Sequence, residues 1–491
     1  MYYIILYGTI KQTNKPKKFR TKRNKSMLTY DLDQRGSTPL YEYLYQCIRQ
    51  DIITGVLHAG ERLPSKRTLA QHLSIGIITV ANAYAQLAVE GYITSKEKLG
   101  YFVEDVSNYR LRRRSAAPAL PEPREKEYLA DFKANRISLK NFPLATWSRL
   151  MRETLSLQND ELLKTVPYNG VYELRKAIAD YLAHNRAMQV DPAQIIIGAG
   201  TEYLYGRLLQ MFGPACTFAI EEPGYKKFAA ISASYGNPWK YIPIDESGMQ
   251  IDALEESGAD VVHVSPANHF PTGIVMPVTR RIELFEWVNR IRKRYIIEDD
   301  YDSEFRYNGR FILPLYAQDT QNRVIYINTF SKSLVPSLRI SYMVLPRRLL
   351  ARYEETMSFY SCTVSSFEQY TLARFISEGY FERHINKMKL YYREQRRKIL
   401  AALKASPLAQ CSGIIERNAG THFLLHISTT LSEEEVRRAA ATASLQLSFY
   451  SDYSYSKTSS DGITLVINYA GIEESKLGEV IRRLEKIFIT Q

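Results

Sequence analysis

Cysteine is scarce. Cys47, Cys216, Cys362 and Cys411 lie far apart with no CxxC pair, which excludes a zinc-finger spacing and a disulfide framework and fits reduced thiols in the cytosol. No metal site is expected. Long apolar runs are missing too: none approaches the ~18 residues a membrane helix needs. The opening Met1–Ile10 is apolar, but positive charge follows it instead of preceding it, and no small-residue cleavage site appears, so no secretory signal is expected. Acidic residues are absent from residues 1–26, where eight basic ones stand: Lys11, Lys15, Lys17, Lys18, Arg20, Lys22, Arg23 and Lys25. Of the net charge of +13 this arm carries +8, leaving an unremarkable +5 for the rest. Basic arms bind phosphates, but most are disordered, solvated tails. Met27 opens the first patterned segment, so the arm reads as an upstream extension. Repeats and low-complexity blocks are absent as well.

What the chain does have is length and an ordinary globular composition. Its 491 residues, 45% hydrophobic and 24% charged, suffice for one small and one large domain or about three average ones. Residues 27–105 pattern as short helices followed by a hairpin. Residues 106–127 turn irregular, with Arg110, Arg112, Arg113 and Arg114 and then Pro118, Pro121 and Pro123, the composition of an extended linker partly stiffened by proline. From 128 to 491, apolar runs such as 194–197, 261–264, 295–297 and 324–327 alternate with helical patterns. That alternation implies an α/β domain around a mostly parallel sheet.

In the small segment Ser65 is placed to cap a helix beginning at Lys66. A turn at Ser74-Ile75-Gly76 leads to a second helix from about Ile77 to Glu90, with Val80, Tyr84 and Leu87 on one face. Gly91-Tyr92-Ile93 ends it, and 94–104 reads as a two-stranded wing. Helix, tight turn, helix and wing is the geometry that lays a second helix in the DNA major groove. Pro39-Leu40-Tyr41, Gly60-Glu61-Arg62-Leu63-Pro64-Ser65-Lys66-Arg67, Thr79-Val80 and Gly91-Tyr92-Ile93 resemble the winged helix-turn-helix of GntR-type repressors throughout. The family's usual Ser-Arg pair at the start of the recognition helix is here Gly76-Ile77. The DNA-facing set is then Thr79, Asn82 and Gln86 as polar base readers, Ile77 against a thymine methyl, and Arg62, Lys66, Arg67, Lys96 and Lys98 on phosphates beside Ser65. A helical protein-interaction module, with those cations simply solvated, is the alternative. Residues 27–104 hold seven basic and eight acidic residues, so affinity leans on dimerisation.

In the large segment, Lys332 follows the run 324–327 directly, within Asn328-Thr329-Phe330-Ser331-Lys332, and Arg339 comes seven residues later. Upstream, 295–297 ends in Glu298-Asp299-Asp300-Tyr301, and 195–197 runs into Gly198-Ala199-Gly200-Thr201. Pyridoxal phosphate needs such a set: a lysine for an internal imine, an acid for the pyridine nitrogen, a phenol for the ring hydroxyl, an aromatic to stack, and a helix start with an arginine for the phosphate. With Tyr168-Asn169-Gly170, Leu174-Arg175, Glu222-Pro223-Gly224-Tyr225 and Pro271-Thr272-Gly273, the segment resembles a fold-type I aminotransferase from about residue 131 to the end. The resemblance implies that Lys332 forms the aldimine, Asp299 pairs with the ring nitrogen, Tyr301 bonds the ring oxygen and Tyr225 stacks. It also implies that Gly200, Thr201, Thr329, Ser331 and Arg339 surround the phosphate, with Asn268 and His269 in the neighbouring loop. Taken singly, Tyr225 reads equally well as core, Asp299 as a strand-end cap and Arg339 as a structural ion pair.

One position departs. Val466, in Val466-Ile467-Asn468-Tyr469, stands where aminotransferases carry the arginine that grips a substrate carboxylate, and an isopropyl group cannot replace a bidentate guanidinium. Lys227 is the substitute cation for an effector. Together the halves resemble the MocR/GabR family of bacterial transcription regulators. That resemblance implies a cytoplasmic, head-to-tail homodimer that binds operator DNA and senses pyridoxal phosphate or an amine or amino-acid-like effector. Partial transamination chemistry is expected. The competing readings are an active aminotransferase with an appended DNA-binding head, and a scaffold whose Lys332 stays unmodified.

Overall fold

The computed structural model describes residues 27–106, 127–133, 141–156, 160–307, 312–416, 420–455 and 462–489; the arm 1–26 and most of the linker, 107–126, lie outside them. Two compact units divide between Arg124 and Glu125. Among the described residues, no helix is long and apolar enough to cross a membrane.

In the first unit, α1 (Leu40–Thr54) buries Leu44, Ile48 and Ile52, one stripe at helical spacing. Helix α2 (Lys66–His72) is capped by Ser65, whose Oγ accepts the Thr68 N–H at 3.1 Å. Helix α3 (Ile77–Val89) turns Val80, Tyr84 and Leu87 into the same core. The wing is antiparallel, β1 (Ile93–Lys96) against β2 (Gly100–Val103), with Ile93 opposite Val103. Residues 60–63 extend it along β2: Gly60 N–H bonds Val103 O at 2.8 Å and Leu63 N–H bonds Tyr101 O at 2.9 Å. The Gly-Glu-Arg-Leu motif is therefore part of the wing, and Pro64 anchors α3 by accepting from the Tyr84 hydroxyl at 3.0 Å.

The second unit opens with a two-residue strand, β3 (Ala130–Asp131). Its main sheet comprises β4 (Ile195–Gly198), β5 (Phe218–Glu222), β6 (Trp239–Asp245), β7 (Gly248–Met249), β8 (Val261–Val264), β9 (Tyr295–Asp299), β10 (Val324–Thr329) and β11 (Ser341–Val344). The spatial order is β4-β11-β10-β9-β8-β5-β6-β7. Strands β10, β9, β8, β5 and β6 are mutually parallel, while β11 runs antiparallel to both its neighbours. The sheet is thus mostly parallel, as the alternation of elements predicts.

Both faces are covered, so the strands read as unbroken apolar runs. Ile195 and Ile197 pack to one side and Ile196 to the other; Ile325 and Ile327 oppose Val324 and Tyr326 in the same way. A smaller antiparallel sheet, β12 (Ser412–Ile415), β13 (His422–Ile427) and β15 (Ile463–Asn468), buries Phe423, Leu425, Leu465 and Ile467 with Val436 and Val480 of two covering helices. Strand β14 (Leu445–Gln446) lies beside β3 in parallel. Strand alternation puts His422, Leu424 and Val466 on the opposite face of the small sheet.

Candidate functional site

On the head, the face expected to meet DNA is the outer face of α3. Ile77 and Ile78 are 50% and 76% exposed at its start, and Asn82 and Gln86 are exposed further along, with Thr79 half-buried. Gln86 is held along the helix by Glu90, Nε2 to Oε1 at 2.5 Å, so Asn82 is the freer amide. Lys66 Nζ lies 5.1 Å from the Tyr101 ring centroid and Lys96 Nζ 4.9 Å from that of Phe102. Arg62 lies alongside Gly100, where an added Cβ would stand 3.4 Å from Nε. Wing aromatics therefore aim two of the expected phosphate-contacting cations, Lys66 and Lys96, and Arg62 lies against the wing glycine, while Arg67 and Lys98 are simply exposed.

In the body, a cavity of about 450 Å³ opens at the carboxyl ends of the parallel strands, the usual place for a ligand in this kind of sheet. Lys332, Asp299, Tyr301, Tyr225, Thr201, Thr329, Ser331, Arg339 and Lys227 all line it. Gly200 stands at its edge, and its φ of +98° together with the guanidinium of Arg339 leaves no room for a Cβ. Three consecutive acids at the end of β9 part ways. Glu298 accepts the Leu315 and Tyr316 N–H groups at 2.8 and 2.9 Å. Asp300 takes Arg186 and the Tyr326 hydroxyl. Only Asp299 enters the cavity.

Asp299 is oriented by residues whose signal in the sequence is weak. The Tyr205 hydroxyl donates to its Oδ2 at 2.8 Å, and His263 Nε2 lies 3.0 Å from that hydroxyl and 3.6 Å from Oδ2. One consistent proton arrangement has His263 Nε2–H donating to Tyr205, which donates to Asp299. The other oxygen, Oδ1, is buried with no hydrogen-bond partner, and so is Ser331 Oγ. Unmet buried polar atoms are costly, and these two suit a protonated ring nitrogen and a phosphate oxygen. Lys332 is half-buried, and desolvation of its amine pushes the ammonium pKa down, with Asp302 and Asp299 pulling the other way. Its Nζ lies 5.6 Å from the Tyr301 ring centroid.

Asn268 and His269 are not among the lining residues. Asn268 Nδ2 donates to both oxygens of Asp302 at 3.0 and 2.9 Å, while its carbonyl accepts from the Tyr301 hydroxyl at 3.1 Å. His269 packs behind, Nε2 3.5 Å from Glu221 Oε2. Phe270, the next residue, lines the cavity instead, against Tyr453 and His422. Val466 is 2% exposed, on the sheet face that presents His422 to Phe270. Lys227 pairs with Glu202 at 2.8 Å, next to Arg339. Lys133 and Glu221 complete the charged lining.

Buried Glu221 has its pKa pushed up to about 8 by desolvation, whereas buried His422 is lowered to about 4. The signs oppose. Below pH 4.5 Glu221 carries its proton both folded and unfolded; as pH rises towards 8 only the unfolded chain gains by ionising, so stability falls. His422 penalises the fold in the other direction as pH drops from 6.5 towards 4. Glu221→Gln is therefore expected to raise the thermal midpoint by a few degrees at pH 8 and to leave it nearly unchanged at pH 5. An equal shift at both values would refute the assignment.

Comparison with known proteins follows the same division. The chain matches the family described as aminotransferase class I and II over residues 131–484, and bacterial regulatory proteins of the gntR family over 40–103. It is 37% identical over 461 residues to the uncharacterized HTH-type transcriptional regulator YdeL of Bacillus subtilis (strain 168), covering 93% of this chain and 98% of that one. It is 31% identical over 477 residues to the probable rhizopine catabolism regulatory protein MocR of Rhizobium meliloti, covering 93% and 95%. Among solved structures, the multiple substrate aminotransferase from Thermococcus profundus superposes with a TM-score of 0.65 at 24% identity, over 74% of this chain and 92% of that one.

Proposed function

The chain belongs to the MocR/GabR family of transcriptional regulators, a gntR-type head joined to an aminotransferase class I and II body, and we propose that occupancy of the Lys332 cavity by pyridoxal phosphate sets how the head holds operator DNA. The head implies DNA binding and the body implies pyridoxal phosphate. The observation that carries the finer reading is one cavity holding a buried lysine amine, two partnerless buried oxygens and an arginine.

The cofactor, when bound, supplies an aldehyde and an electron-withdrawing ring. The residues do the rest. Lys332, its charge disfavoured by burial, offers its amine as the nucleophile. Asp299 Oδ1 would accept a ring N–H, and Tyr205 keeps that carboxylate fixed through Oδ2. Tyr225 gives an aromatic face, and Thr201, Thr329, Ser331 and Arg339 give donors for a phosphate. Glu221 holds a proton within the lining at neutral pH.

Sustained turnover of amino acids also needs a grip on the α-carboxylate. The small-sheet face nearest Phe270 offers His422, Leu424 and Val466, none of them a guanidinium. Sensing is favoured over turnover on that ground. Any shift between states can be no larger than the ligand's differential affinity for them.

The test uses full-length protein and a duplex selected by it from a random pool. Fluorescence anisotropy with and without saturating pyridoxal phosphate is expected to show a change in DNA affinity or in its protein stoichiometry. Identical isotherms would sink the sensing reading.

A further inference from the structure

At the Arg339 end of the cavity, two cations share one carboxylate. Glu202, the second residue of the helix Thr201–Phe212, accepts from Lys227 Nζ at 2.8 Å through Oε1, and its Oε2 is bonded by Arg339 Nη2. All three side chains line the cavity, together with the hydroxyls of Thr201, Thr329 and Ser331. Gly200, having no Cβ, leaves the space that the Arg339 guanidinium occupies.

A guanidinium bonds carboxylate and phosphate through the same planar fork. Glu202 thus satisfies the donors that a phosphate at this place would use. It also sits in the first turn of its helix, where the N-terminal potential favours any anion, fixed or arriving. Two anions on one fork lose charge-assisted bonds and gain repulsion. The bland alternative is a half-exposed surface ion pair: side-chain exposures are 34% for Glu202, 50% for Arg339 and 57% for Lys227, and such pairs usually contribute little. The cavity location separates the two readings, since this pair lines the same cavity as the partnerless Ser331 Oγ.

We propose that Glu202 is a built-in competitor for phosphate at the Arg339 end of the cavity. A phosphate group must take Arg339 from Glu202, which then stays on Lys227 alone. Binding becomes readily reversible, and occupancy follows ligand concentration. This inference rests on the reading above that a phosphate-bearing cofactor enters here.

The test compares full-length wild type with Glu202→Gln, which keeps the size and a Lys227 acceptor but not the charge. Titration with pyridoxal phosphate, followed by visible absorbance, is expected to give a dissociation constant lower by about tenfold. Lys227→Met releases Glu202 onto Arg339 and is expected to weaken binding; made in the Glu202→Gln background it should do nothing. Equal or weaker binding by Glu202→Gln overturns the proposal, as does an undiminished Lys227→Met effect in that background. Inorganic phosphate provides the second readout: its shift of the thermal midpoint should be larger in Glu202→Gln. If neither protein shows cofactor absorbance, the cofactor reading fails. The competitor proposal then stands or falls on whether that phosphate shift grows.

Discussion

Lys332→Ala is expected to abolish the protein-bound imine band that pyridoxal phosphate gives with the wild type, and to let dialysis remove the cofactor completely. Lys332 is the one lysine in the cavity lining that is not exposed, on the Asp299 and Tyr301 side of the site. Without it, only the phosphate and ring contacts remain, and these dissociate. Lys332→Arg separates loss of nucleophile from loss of charge: arginine keeps a cation near Asp302, whose pKa is pushed up to about 7 chiefly by burial, yet it has no amine to offer. Both variants should behave alike spectroscopically. A retained band in either would mean that another amine, Lys133 or Lys227, does the work.

The second large effect is on DNA. Asn82→Ala is expected to cost roughly 1–3 kcal/mol on a selected duplex and almost nothing on random DNA, because a base contact is lost and no phosphate contact. Arg67→Ala should weaken both equally and reduce the slope of log affinity against log salt by about 1. Anisotropy titrations between low and moderate salt distinguish these two patterns. Asn82→Ala behaving like Arg67→Ala would place α3 outside the major groove.

Much of this site is legible in the chain because its members sit at strand ends. Lys332, Asp299, Thr329 and the 198–201 turn each follow an apolar run, so their convergence on one edge of a parallel sheet follows from the topology alone. The choice of Asp299 over Asp300 follows from strand alternation and from Arg186, which is far away in sequence and claims the second acid. What does not show is what depends on packing between elements. Tyr205 lies one turn beyond Thr201, a visible spacing, but nothing local ties it to His263 on β8. His263 itself reads as a lone histidine in an apolar strand. Glu202 looks like any acid in a first helical turn, and its pairing with Lys227 and Arg339 spans three separate elements. Phe270, adjacent to the polar Asn268-His269 pair, is inconspicuous because apolar residues in loops carry no chemical flag.

The short pairing of β3 with β14 has a mechanical meaning. Leu129 N–H bonds Ser444 O at 2.8 Å and Phe132 N–H bonds Gln446 O at 2.9 Å, while Lys133, immediately after, lines the cavity and pairs with Asp452 at 3.4 Å. The first described residues after the linker thus spend these backbone hydrogen bonds on β14 and its flank. Displacement of residues 444–452 carries the mooring point along. Where the chain enters the body it is therefore tied to the segment that flanks the cavity mouth at Tyr453.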